Sequence, residues 1–469
     1  MTRLPHTAEH TAHTFDMLSP REFLILLENK LKDLESDLSH LPAEEQYQIL
    51  KEKAGVTHQK PIIPEPTSTE NKLLAQLKES KETRIPLRIK FGIDPTGPDI
   101  HIGHAVSLLM VKRLLRMGHT LDLIVGDFTA KIGDPTDRQS ERKALTDEQI
   151  RANMQSYFYQ AARIIDLQDP ETVRQHFNSE WLDKVPLSKW MEILLQESVT
   201  QALNRRDFQD RIANGSSVSI GELMYSLLMA YDSLHLQPDI EVGGMDQYLN
   251  LLKCREQMSK SNLEPETFIT VDLIPGTTSE LDHLGRPVKM SKSKGNYIAM
   301  TEDPGDMYAK TMSIPDETMW TWFVNFTEIS QTDLAQLKKL VEAGKVHPKA
   351  AKQLLARTVV YTFHYQDEAT VTQAEALFNS KFGKDAVLIP EDAVTIPVSE
   401  GVGLLDVLSQ ATGTSKSNLK KNVQGIRILN EDETEFVTYN VNELMEKTIT
   451  AGQRVVAKFG KSKTFIFVV

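Results

Sequence analysis

The chain is poor in cysteine, with one (Cys254) among 469 residues. A single thiol closes no internal disulfide, which excludes a disulfide scaffold and points to a reducing compartment, the cytoplasm. It also leaves a cysteine-built zinc site without ligands, so no resident metal is expected. Long apolar runs are missing too. Phe23 to Leu27 is among the longest, far short of the ~20 residues a membrane helix needs, so no membrane partner is expected. The N-terminus has no basic start followed by an apolar stretch, and hence no secretory signal is expected. Positive charge is in deficit: 53 Lys and Arg stand against 65 Asp and Glu, a net charge of −12. Such a total argues against a general nucleic-acid binder, although a global sum can hide a local basic patch. What remains is ordinary for folded domains, with 40 % hydrophobic and 25 % charged residues. At roughly 150 residues per domain the length suggests about three.

His6, His10 and His13 share one helical face in a polar N-terminal stretch, which reads as a tail. From Pro20 to about Lys53 the spacing of Phe23, Leu24, Leu27 and Leu31 predicts a helix, with Ser19 as its cap. Gln59 to Pro66 reads as a proline-stiffened linker. Leu87, Ile89, Phe91 and Ile93 then alternate with Arg88, Lys90 and Gly92, a period of two that predicts a strand. A Pro- and Gly-containing loop follows, then a helix from about Gly103 to Met117, then a short apolar strand from Leu121 to Val125. Strand, loop, helix, strand is the βαβ unit of a parallel sheet. Residues 146–235 and 305–380 are mostly helical in pattern, and the chain ends in alternating strands. Within residues 411–469 nine Lys and Arg face six Asp and Glu, so this acidic chain ends in a basic unit.

Two segments carry chemistry. His101-Ile102-Gly103-His104 opens the first helix after β-type residues. A helix N-terminus offers unpaired N–H groups and partial positive charge, a natural seat for phosphate. Gly103 lets a nucleotide lie close to the backbone. Far downstream, Lys289-Met290-Ser291-Lys292-Ser293-Lys294 is a cationic loop able to close over a triphosphate. A capping segment and a solvated basic run are the plainer readings of each alone.

Together and in this order, the two segments resemble the signature pair of class I aminoacyl-tRNA synthetases. Asp94-Pro95-Thr96, Gly133-Asp134-Pro135, Tyr225 through Asp232, and Gly243-Gly244-Met245-Asp246-Gln247 narrow the resemblance to the tyrosyl-tRNA synthetase family of bacterial type, over about residues 60–469. The basic C-terminal unit, with Ser415-Lys416-Ser417 opening a helix, resembles a small RNA-binding module. The resemblance implies an α/β Rossmann-like catalytic domain over 61–310 with a helical insertion at about 150–215. It further implies a helical anticodon-region domain over 311–395 and a small α+β RNA-binding domain over 398–469, behind an N-terminal extension of about 60 residues. It implies a homodimer, with the insertion as the subunit contact, and ATP with Mg²⁺, tyrosine and tRNA(Tyr) as substrates and partners.

By the same resemblance, Thr96, His101, His104, Lys289 and Lys292 serve the phosphates. Asp94, Gly103, Asp246, Met290 and Arg142, with Arg138 nearby, meet ATP. Asp134, Tyr225, Met229, Asp232 and Gln247 meet the amino acid, with Asp134 and Tyr225 at its ammonium and Asp232 at its phenol. The chain departs from the family pattern at four places. Met229 stands where a glutamine is usual, Asp137 replaces a glycine and Met245 a Ser or Thr. Lys90 occupies a strand position where one branch of the family has a phenol-contacting tyrosine, while a second branch, which this chain resembles more, also has Lys. These departures fall mostly on the amino-acid side. They leave open a repacked tyrosine pocket, a paralogue activating a tyrosine-related amino acid, or a non-catalytic RNA-binding derivative.

Overall fold

The alternation between Leu87 and Ile93 folds as strand β1 (Arg88–Ile93). The computed structural model describes residues 19–54, 69–136, 145–282, 285–382, 393–429, 436–450, 454–459 and 463–468. The three N-terminal histidines, the expected linker at 59–66, Asp137, Arg138 and Arg142 lie outside them. The chain divides into two units, Met1–Val371 and Thr372–Val469.

In the first unit β1 is the central strand of a five-stranded sheet. Its neighbours are β2 (Thr120–Val125), β3 (Val173–Phe177), β4 (Ile240–Gly244) and β5 (Thr267–Val271), in the order β3-β2-β1-β4-β5. All four pairings are parallel, as the βαβ reading predicts. The chain winds one way from β1 through β2 and β3, then returns to place β4 on the other side. The crevice outside the carboxyl ends of β1 and β4 is therefore a topological switch point, where open α/β sheets bind ligands. The segment expected as a helical insertion, about 150–215, needs one correction: it contributes edge strand β3. Its sequence, Val-Arg-Gln-His-Phe, hides the strand because an edge position tolerates polar side chains on an outward face.

Register decides which side chains meet. Lys90 lies opposite Glu241 in the β1–β4 ladder, and opposed residues of a parallel pair project to the same face. Their side chains form an ion pair of 2.7 Å with 1 % of each exposed. Lys90 of β1 thus faces a covered layer rather than water.

The N-terminal region also departs from the single expected helix. It forms α1 (Pro20–Leu31), capped reciprocally by Ser19 and Glu22, and α2 (Ala43–Lys53). Pro42 fixes where α2 begins, since the residue before a proline is pushed out of helical geometry. Both helices bury one face, through Phe23, Leu27 and Leu50. The link between them docks on α3 (Ile102–Arg116), the helix that begins at the histidine motif. Lys112 pairs with Glu35, and Arg116 donates to the Ser36 carbonyl at 2.9 Å. Arg113, 2 % exposed, pairs with Glu328 at 2.8 Å. The basic face of α3 is thereby consumed internally. Substituting Glu328→Ala strands the Arg113 guanidinium in the interior, so unfolding stability should fall by about 3–5 kcal/mol. Urea titration measures it, and a change under 1 kcal/mol contradicts the assignment.

Three more helices matter below: α4 (Leu187–Leu194), α5 (Ile220–Leu236) and α6 (Tyr248–Lys260). Beyond β5 the first unit continues in helices Pro304–Ser313, Asp316–Phe326, Gln331–Glu342 and Pro348–Phe363. They pack around Trp322, Phe326 and Phe363, all fully buried.

The second unit has its own five-stranded sheet: β6 (Val394–Pro397), β7 (Ile426–Leu429), β8 (Phe436–Val437), β9 (Arg454–Phe459) and β10 (Lys463–Val468), ordered β6-β10-β9-β7-β8. Helices Leu404–Thr412 and Lys416–Lys421 cover it, over a core that includes Leu408, Leu419, Ile428 and Phe467. No described helix is long and apolar enough to cross a membrane.

Candidate active site

A cleft of about 740 Å³ opens at the switch point. The candidate phosphate, ATP and amino-acid residues line it except Arg138 and Arg142, which lie outside the described residues: Asp94, Thr96, His101, Gly103, His104, Asp134, Tyr225, Met229, Asp232, Asp246, Gln247, Lys289, Met290 and Lys292. β1 delivers Asp94 and Thr96, the start of α3 delivers the histidines, β4 delivers Asp246 and Gln247, and α5 delivers Tyr225, Met229 and Asp232.

The two signature segments are joined through backbone. The Ile102 amide donates to the Ile298 carbonyl and the Met300 amide to that of Ile100, both at 2.9 Å, so the chain leaving the lysine loop pairs with the chain entering α3. Lys292 Nζ reaches across the cleft and donates to the Asp99 carbonyl. Within the loop, buried Asn296 acts as a clamp. Its Oδ1 accepts from the Ser291 amide at 2.8 Å and its Nδ2 donates to the Lys289 carbonyl at 3.2 Å. Gly103 sits where a Cβ would lie 3.0 Å from His101 Nδ1 and 3.4 Å from Met290 Sδ. The glycine therefore keeps the floor between the segments low.

His101 and His104 stack with ring centroids 3.7 Å apart. Burial, with His104 and Lys292 beside it, pushes His101 far below the usual range, and burial with Lys292 and Lys289 nearby brings His104 down to about 4. Both rings are therefore neutral at pH 7 and each keeps one N–H to donate. His101 Nδ1 is buried and has no hydrogen-bond partner among the described residues. Burial also lowers Lys292, which places a cation in a partly dehydrated mouth.

The other half of the cleft is a web of carboxylates. Asp94 accepts from Tyr225 Oη at 2.8 Å and from Thr129 Oγ1 at 2.6 Å. A Cβ on Gly126 would fall 2.0 Å from Asp94 Oδ1, so only glycine leaves room for this arrangement. Asp134 accepts from the Thr136 amide at 2.9 Å and from Gln247 Nε2. Asp232, 4 % exposed, accepts from Trp181 Nε1 at 2.8 Å and Asn178 Nδ2 at 3.4 Å. Burial, opposed by the nearby Lys90 charge and these donors, raises its carboxyl to about 7.

The chemistry is that of a site with a cationic, N–H-rich mouth for phosphates and a buried acidic end for a polar small molecule. The model of the tRNA synthetases of class I (W and Y) matches residues 81–383 of this sequence. The chain belongs to that family.

Among curated relatives, the tyrosine–tRNA ligase of Desulfotalea psychrophila is 38 % identical over 343 residues, 73 % of this chain and 81 % of the relative. The Aquifex aeolicus tyrosine–tRNA ligase is 38 % identical over 384 residues, 81 % and 90 % of the two chains. In fold, this synthetase resembles the tyrosyl-tRNA synthetase from Archaeoglobus fulgidus complexed with L-tyrosine, with TM-score 0.55, 17 % identity, and 70 % and 100 % of the chains covered. It also resembles the C-terminally truncated Aspergillus nidulans mitochondrial tyrosyl-tRNA synthetase, with TM-score 0.53, 20 % identity, and 72 % and 99 % covered.

Several residues in or beside the cleft carry no signal in the sequence. Thr129, Asn178, Trp181 and Glu241 reach the cleft or its carboxylates from separate elements, and each looks locally like a turn, edge or core residue. Asn296 had a faint signal, since it closes the Lys-Gly-Asn end of the lysine loop. Asp94, expected with ATP, accepts from Tyr225 Oη, a residue expected with the amino acid. Glu241, Cys254 and Glu266 bring three ligand-type atoms within 4.8 Å of one another. The ammonium of Lys90 serves them as the cation, 2.7 Å from Glu241 and 3.9 Å from Cys254 Sγ.

Proposed function

We propose that this protein ligates tyrosine to tRNA(Tyr) in two steps at this cleft. In the first, the tyrosine carboxylate attacks the α-phosphorus of ATP, and pyrophosphate leaves as tyrosyl-adenylate forms. In the second, a terminal ribose hydroxyl of the tRNA displaces AMP from the acyl carbon. The carboxylate is nucleophile enough, so the first step needs alignment and charge stabilisation rather than a base. Thr96, His101 and His104 meet the phosphates with neutral donors, while Lys289 and Lys292 neutralise the departing pyrophosphate. Mg²⁺ arrives with ATP as part of the substrate. Asp246 accepts from the ribose. Asp134 and Tyr225 receive the α-ammonium, and Asp232 accepts the phenol hydroxyl. Met229 adds an apolar wall where a polar contact is usual, which leaves Asp134 and Tyr225 to carry the ammonium.

The observation that carries this reading is the single cleft shared by the histidine segment, the lysine loop and Asp232. It is supported by curated tyrosine–tRNA ligases 38 % identical over most of their length. Pyrophosphate exchange with a panel of amino acids tests it. Exchange dependent on tyrosine is expected; none with tyrosine alongside exchange with another amino acid contradicts it.

A homodimer formed through the 150–215 segment fits the surface. Leu187, Met191, Leu195 and Val199, spaced four apart on and after α4, are 75 %, 46 %, 80 % and 65 % exposed. Such a stripe is costly to leave in water and suits a second copy of the chain. Leu195→Asp should shift the protein from dimer to monomer in sedimentation velocity. An unchanged dimer places the contact elsewhere. The basic stretch 411–469 of the second unit, with Lys421 and Arg427 exposed, is the proposed tRNA-docking module, and binding of tRNA should weaken steeply with salt.

A further inference from the structure

Beneath the amino-acid end of the cleft lies a buried polar cluster that the two-step reaction does not use. Lys90 of β1 is its hub. Nζ pairs with Glu241 of β4 at 2.7 Å, donates to Ser233 Oγ of α5 at 2.7 Å, and donates to the Met229 carbonyl of α5 at 3.3 Å. Ser233 in turn donates to Glu266 at 3.2 Å. An ammonium this deep costs several kcal/mol to dehydrate, and apolar packing would fill the same volume without that cost. Two of its three bonds fall on one turn of α5, the turn that carries Met229 and Asp232 into the cleft, and the third ties that turn to β4.

We propose that Lys90 is a positioning residue for substrate choice: it ties this turn of α5 to the central strands and supplies the positive charge that keeps Asp232 a carboxylate acceptor for the substrate hydroxyl. The proposal rests on the tyrosine reading above. Asp232 is the only described carboxylate that Trp181 and Asn178 aim into that end of the cleft. The charged and titratable groups facing it are Lys90 from β1, Glu241 from β4 and Tyr225 from its own helix. Glu266, just before β5, and Cys254 of α6 face Lys90 from its other side. Burial holds both of these neutral, Glu266 with Glu241 and Cys254 with Glu241 beside them. Of the two charges acting on Asp232, the attraction of Lys90 outweighs the repulsion of Glu241.

The sign of the effect follows. Removing Lys90 and Glu241 together deletes the larger, anion-favouring charge and the smaller, opposing one. Asp232 then protonates at higher pH and becomes a weaker acceptor. An amino acid without the hydroxyl does not feel the change.

The test uses the full-length protein and pyrophosphate exchange with tyrosine and phenylalanine across pH 5.5–9. In the Lys90→Met/Glu241→Gln variant, KM for tyrosine should rise about tenfold or more with kcat within about threefold. Preference for tyrosine over phenylalanine should fall by the same factor. The pH at which tyrosine affinity is half lost should move above its wild-type position near 7. A folded double variant with unchanged KM, preference and pH midpoint overturns the proposal. Ser233→Ala keeps both charges and removes one tie to α5, so it reads the positioning part even where the double variant does not fold. It should raise the tyrosine KM about fivefold with the pH midpoint unmoved, and an unchanged KM overturns that part. Wild-type protein without tyrosine-dependent exchange would defeat the tyrosine reading itself. Wild-type activity with unaltered variants defeats only the role of Lys90.

Discussion

Lys292→Ala lowers the rate of adenylate formation by about 10²–10³-fold, with tyrosine affinity close to wild type. The expectation follows from where the ammonium lies. Lys292 spans the cleft mouth to the Asp99 carbonyl and stands over the start of α3, where partial burial of its ammonium lowers its pKa. Negative charge grows on pyrophosphate as the bond to the α-phosphorus breaks, and a cation already dehydrated and aimed there stabilises it without reorganising water. On the proposed reading tyrosine binds at the far end, among Asp134, Tyr225 and Asp232, and does not depend on it. Single-turnover quench-flow separates the two quantities. A rate within threefold of wild type removes the lysine loop from the chemistry.

Asp232→Ala abolishes selection of the phenol. A site built to bond a substrate hydroxyl rejects the analogue lacking it by about 10⁴–10⁵. Without the carboxylate, tyrosine and phenylalanine should be activated with efficiencies within about tenfold of each other. The substitution also leaves the Trp181 indole N–H, now bonded to Asp232 at 2.8 Å, without its acceptor. Stability should therefore drop by about 1–3 kcal/mol as well. Competitive exchange assays give the first number and chemical denaturation the second. Retained discrimination above about 10³ places the phenol elsewhere.

How far the sequence revealed this site depends on how local each signal is. β1, β2 and α3 were legible because alternation, a short apolar run and a 3.6-residue period are properties of single segments. The two signature motifs were legible because each is contiguous, although only the fold shows Ile298 and Met300 hydrogen-bonded to the chain at Ile100–Ile102. β3 was hidden because an edge strand need not alternate cleanly. The break between α1 and α2 was readable from Pro42, but the apolar spacing on both sides masked it. The partners of Asp232 were illegible, because Asn178, Trp181 and Lys90 come from three elements and meet through sheet register and the turn after β3. From the alternation alone Lys90 is one polar position of a strand, and only the resemblance set it near the substrate phenol. Its burial follows from its place opposite Glu241 in a central parallel ladder, which no single segment encodes.

The central claim is that the histidine segment and the lysine loop serve one triphosphate while Asp232 holds the other substrate's hydroxyl. A crystal structure of the protein with a non-hydrolysable tyrosyl-adenylate analogue tests it in one measurement. The adenylate phosphate should lie beside His101, His104 and Gly103, the ribose at Asp246, and the phenol oxygen within hydrogen-bond distance of Asp232. An analogue bound with its phosphate away from the start of α3, or its phenol pointing out of the pocket, contradicts the account.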